Sequence, residues 1–113
     1  MEIFWSQFAR FLENPVQESL LSVPGIGPKA VELLGKAVEG DSAVETTYQL
    51  IGKFLQLKNK DMTVQAHMDA FWFYLAGRGI NSHRFGIVDA IARKVDVMNP
   101  GIAEYDKAEG EEE

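Results

Sequence analysis

Residues 20–34 read LLSVPGIGPKAVELL, and the rest of the chain is best understood from this stretch. Apolar Leu20, Leu21 and Val23 precede Pro24-Gly25-Ile26-Gly27, and a second apolar face of Ala30, Val31, Leu33 and Leu34 follows Pro28. This is the pattern of a helix-hairpin-helix. Gly25 and Gly27 are free to take positive φ, and without a Cβ they let a ligand approach the backbone closely. Pro28 suits the first turn of the second helix, where its missing N–H would have had no partner anyway. The remaining N–H groups at such a helix start, at the positive end of the dipole, suit a phosphate. A grip of that kind holds nucleic acid without reading its sequence. The same residues also serve as a plain Pro/Gly corner between two core helices.

The flanking periodicity is helical on both sides. Phe4, Phe8, Phe11 and Leu12 fall at helical spacing, and Asn14-Pro15 ends that segment because a residue before proline avoids the α region. A short helix over 16–22 leads into the hairpin, and the helix after it runs from Pro28 to about Val38. Ser42 with Glu45 forms a capping-box pattern, which predicts a fourth helix burying Val44, Tyr48, Ile51 and Leu55. After a polar break at Asn59 to Asp61, a long helix is predicted from about Met62 to Ala76, with Met68, Phe71, Trp72 and Leu75 on one stripe. Asn81-Ser82 is predicted to cap a last helix with Val88, Ile91, Ala92 and Val95 inward. No alternating run is long enough for a strand, so the fold class is all-α. Residues 77–88, GRGINSHRFGIV, form another Gly-rich turn opening a helix and read as a second, imperfect hairpin.

Composition narrows the function classes. At 113 residues the chain suits one domain with a modest core, and its hydrophobic fraction of 46% is ordinary for a globular protein. No apolar run approaches the roughly 20 residues of a membrane span, and no basic flank marks a signal peptide. The absence of cysteine excludes disulfides, thiolate metal sites and cysteine nucleophiles, and is compatible with an intracellular location. The net charge of −6 is concentrated at the end of the chain. Residues 104–113 hold six acids and one base, and the remainder holds ten bases against eleven acids. We therefore expect one helical domain over residues 1–103 and an acidic, disordered tail over 104–113. His67 and His83 have no ligand-spaced partner and read as surface or helix-end residues. Asp69 and Asp89 are isolated carboxylates. No catalytic constellation emerges, so an enzyme is not expected, and no cofactor or metal is implied.

At this point the chain resembles the barrier-to-autointegration factor family. YQLIGKFLQLKNKD, Tyr48 to Asp61, is similar to that family's Y-x-x-L-G-Q-F-L-x-L-K-K-D segment. FLENP, Phe11 to Pro15, is similar to its F-V-x-E-P, and Val23 to Gly27 to its glycine hairpin. Gly77 through Arg84 resembles the turn before its last helix. The likeness runs in order over about residues 8–98. It implies a compact five- or six-helix, SAM-like domain that forms a homodimer, binds double-stranded DNA regardless of sequence and bridges two duplexes. By position, the resemblance implies DNA contacts at Gly25, Ile26, Gly27, Lys29, Ala30, Asn81, Ser82 and Arg84. It places Gly52, Leu55 and Leu57 at the dimer seam. It also implies a nuclear location and a LEM-domain protein as partner. The chain departs from the pattern at Gln7 and Asn81, where the family has basic residues, in the aromatic block Phe71 to Tyr74, and in the acidic tail.

Lys29, Lys53, Lys58, Lys60 and Arg84 are the candidate phosphate-contacting side chains, with Lys29 and Arg84 favoured because they sit beside glycine turns. The competing reading is a protein-interaction or adaptor module on the same scaffold, its hairpin reduced to a corner. The surface around Gly25, Gly27 and Arg84 discriminates between them.

Overall fold

The computed structural model describes residues 2–100, with side chains from residue 6 onward. The tail predicted over 104–113 and the side chain of Phe4 lie outside the described residues. Five α-helices make up the described chain: α1 (Glu2–Glu13), α2 (Pro28–Leu34), α3 (Thr47–Gln56), α4 (Val64–Gly77) and α5 (Arg84–Met98). Among the described residues there is no strand, only an isolated bridge between Val38 and Asp41. The fold class is all-α, as the periodicity predicts.

The last helix is the centre of the core. Helices α1, α3 and α4 all pack on α5, which buries Ile87, Val88, Ala90, Ile91, Ala92 and Val95. Such wide burial is what a helix surrounded by its neighbours requires. Phe54 of α3 and Phe71 of α4 meet edge to face, with ring centroids 5.2 Å apart. His67 is fully buried beside them rather than at the surface. Its ring stacks on Phe54 at 4.0 Å, and its Nε2 lies 2.6 Å from the Phe54 carbonyl oxygen. Burial holds its pKa below the usual histidine value, so the neutral ring donates Nε2–H to that carbonyl.

Three boundaries in the first half of the chain differ from expectation. The segment predicted as a helix over 16–22 is only a single 3₁₀ turn, Leu20–Ser22, capped by the Ser19 hydroxyl. Helix α2 stops at Leu34, and the chain turns back through Gly35 instead of continuing to Val38. Helix α3 starts at Thr47, where Thr46 and Gln49 form a reciprocal capping box, and not at Ser42. That start shifts the buried face to Thr47, Leu50, Ile51 and Phe54, leaving Tyr48 58% and Leu55 38% exposed. The bulky Phe54 ring takes a core position, where it meets both His67 and Phe71.

Candidate nucleic-acid interface

Two glycine turns face one groove. Residues 23–26 form a β-turn closed by the Ile26 N–H donating to the Val23 carbonyl at 3.1 Å, with Pro24 and Gly25 at its centre and Gly25 at φ +94°. A type II turn demands that conformation at its third residue. Helix α4 ends on Gly79 at φ +90°, whose N–H bonds the Ala76 carbonyl while Ile80 N–H reaches Leu75. This is a Schellman ending. Gly25 and Gly79 are each followed by a buried isoleucine, Ile26 or Ile80. The turns come together through α5. A Cβ on Gly25 would lie 2.9 Å from Ile87 Cγ1 and 3.3 Å from the His83 carbonyl oxygen, so this glycine is required by both φ and space. Gly27 differs from expectation. It is extended, at φ −111°, and a Cβ there would meet nothing within 4 Å.

The groove between the turns holds about 370 Å³ and is lined by Gly25, Gly27, Lys29, Ala30, Asn81 and Ser82 among others. Six of the eight expected DNA-contacting residues thus share one surface. Ile26 instead points into the core and contributes only backbone. The helix starts are also informative. Helices α3 and α4 are capped by the side chains of Thr46 and Thr63, whereas α2 and α5 have no side-chain cap. Asn81 and Ser82 do not cap α5 as predicted. Its N-cap is His83, held left-handed at φ +63°, with its side chain exposed. Among the described residues, Lys29 and Ala30 N–H, the N2 and N3 donors of α2, find no backbone acceptor. Both uncapped starts open at the groove.

The candidate cations sort differently from expectation. Lys29 is exposed at the groove with Glu32 3.8 Å away. Arg84 is half-buried, its guanidinium lying 3.8 Å over the centroid of Trp72. Lys53 turns away from any phosphate and pairs with Asp41 at 2.9 Å. Lys58 and Lys60 are exposed at the far end of α3. On the outer face of α3, Gly52 is open between exposed Tyr48 and Leu55, while Leu57 leans against the core.

The residue that the sequence did not single out is Arg78. Flanked by glycines it reads as a loop charge, yet it is buried. Its Nη2 donates to the carbonyls of Leu33 (3.3 Å), Leu34 (2.9 Å) and Lys36, at the end of α2. Its Nη1 donates to Asp41 Oδ2 at 3.3 Å and the Ser42 carbonyl at 3.2 Å. A cation at a helix C-terminus satisfies carbonyls and opposes the dipole. Here it also ties the second glycine turn to the helix that follows the first, which sets the width of the groove. Burial pushes the Asp41 carboxyl up, but Lys53 and Arg78 more than offset this and hold its pKa below the usual value. Lys94 does the same work elsewhere, donating to the Leu12 and Asn14 carbonyls at the end of α1.

No family model, curated protein or solved structure matches this chain.

Proposed function

We propose that this chain binds double-stranded DNA without regard to sequence, through paired helix-hairpin-helix turns, and bridges duplexes as a homodimer. The observation that carries this reading is the groove itself. Two left-handed glycine turns, at Gly25 and Gly79, stand side by side, and the two helices without side-chain caps begin on it. Backbone donors without partners, in a surface with no Cβ at Gly27, suit a phosphate backbone more than any side-chain ligand.

The direct test is binding of a fluorescent duplex of about 20 base pairs and arbitrary sequence. With about four phosphate contacts, affinity is expected to fall about a hundredfold between about 50 and about 200 mM salt. Binding that ignores salt would reject the reading.

Gly52 supports the dimer. A glycine inside an exposed helix costs about 1 kcal/mol relative to alanine, and among the described residues nothing requires it there. Close approach of a second α3 would. The Gly52→Glu variant is expected to stay helical by circular dichroism and to be monomeric by light scattering at about 50 µM, where the native chain is expected to be dimeric and its melting temperature to depend on concentration. An unchanged dimer would rule out this seam.

A second reading, a protein-interaction module, draws on burial of Arg78 and Lys94. These cations are removed from the exterior of a body that already has more acids than bases. It is favoured if no duplex binds at low salt even after deletion of residues 104–113.

A further inference from the structure

We infer that the hairpin groove continues into a base-stacking surface, so that the preferred ligand is nucleic acid carrying an unpaired base next to a held phosphate. This rests on the DNA-binding reading above and specifies its substrate. The observation is a pair of exposed rings. Phe85 is 73% and Phe73 65% exposed, and both line one hollow of about 360 Å³ between α4 and α5, with Met68 and Val88 behind them. Neither ring belongs to the buried core. Phe85 also lines a second hollow together with Gly25, Gly27 and His83. The aromatic surface and the glycine turn therefore share a wall.

The chemistry along this path changes in the order a nucleotide would need. On one side stand the backbone donors of the first turn. Next comes Arg84, whose guanidinium lies over the Trp72 ring and, among the described residues, has no hydrogen-bond partner. A guanidinium laid flat on an indole keeps its charge and its donors while losing little freedom on binding an anion. Trp72 also meets Phe73 edge to face at 5.1 Å, so one tryptophan orients both the cation and the ring beside it. Trp72 is thus a positioning residue. Beyond the rings, Asp69 rims the hollow and accepts from Gln65 Nε2 at 2.9 Å. A carboxylate there repels a phosphate but accepts hydrogen bonds from the exocyclic amino group of a base. Phosphate on the glycine side and base on the aromatic side is the arrangement that satisfies all four features. Stacking on exposed rings is tolerant of sequence, since every base has a π-face.

The test compares a blunt duplex of about 20 base pairs with the same duplex extended by about five unpaired nucleotides, one of them 2-aminopurine. The native chain is expected to bind the extended form about tenfold more tightly and to quench the 2-aminopurine. The Phe73→Ala, Phe85→Ala double variant loses only exposed rings, and circular dichroism checks that it remains folded. It should lose the preference and the quenching while binding the blunt duplex as before. Equal affinity of the native chain for both duplexes overturns the inference, as does a preference that survives in the double variant. Failure of either DNA to bind at about 50 mM salt removes the underlying reading as well, and leaves the aromatic hollow to a protein partner.

Discussion

Replacing Gly27 with aspartate is expected to weaken duplex binding about a hundredfold while leaving the fold at least as stable as before. Gly27 is the N-cap of α2, extended, with open space where a Cβ would go. Aspartate is among the best N-cap residues, and its carboxylate accepts from the N2 and N3 N–H groups, here those of Lys29 and Ala30. The helix gains a few tenths of a kcal/mol relative to glycine. The same carboxylate occupies the donors assigned to phosphate and adds a repelling charge. Losing two charge-assisted hydrogen bonds at about 1.5 kcal/mol each weakens binding about a hundredfold. Thermal unfolding and duplex titration of one sample measure both effects. Unchanged duplex affinity would show that the first hairpin is only a corner. Gly25 cannot serve for this experiment. Any side chain there meets Ile87 and sits at φ +94°, so a lost activity would only report a damaged fold.

The Arg78→Ala variant is expected to lose about 3–5 kcal/mol of stability, the cost of removing one member of a buried ionic network. Native domains have about 5–15 kcal/mol in all, so this removes a large fraction. The Ser42 carbonyl would lose its donor, the Leu33 and Leu34 carbonyls would keep only the N–H groups of Lys36 and Val44, and the Asp41 carboxylate would keep only Lys53. Urea denaturation measures the loss, which corresponds to a fall in melting temperature of about 15 °C or more. Arg78→Lys keeps the charge but not the planar fork, so it should recover only part of the loss. A cost below about 1 kcal/mol would mean that water satisfies these carbonyls as well as the guanidinium does.

Much of the architecture was legible in the sequence. The inward face of α5, Val88, Ile91, Ala92 and Val95, follows from spacing alone, and so does the end of α1 before Pro15. These features depend on neighbours within a turn or two, where backbone geometry fixes which side chains share a face. The local pattern puts the capping box of α3 four residues early, because Ser42 and Thr46 carry the same local signal. Thr46 prevails in the fold, where Thr47 also donates to the Ser19 carbonyl at 3.0 Å and anchors the helix beside the first turn. The glycine turns were visible as well, but not the difference between Gly25, crowded and left-handed, and Gly27, open and extended.

Local pattern thus determined the helices, their polarity and the two glycine turns, because each is written in residues close along the chain. Tertiary structure alone decided which charges are buried and which surfaces meet. Arg78 finds its carbonyl partners 36 to 45 residues away, and Lys94 reaches across 80 and 82 residues to the end of α1. His67 becomes a core residue only because Phe54 arrives from another helix. No local period encodes such meetings. They follow from the packing around α5, which draws distant helix ends together and leaves their unpaired carbonyls needing a donor within reach.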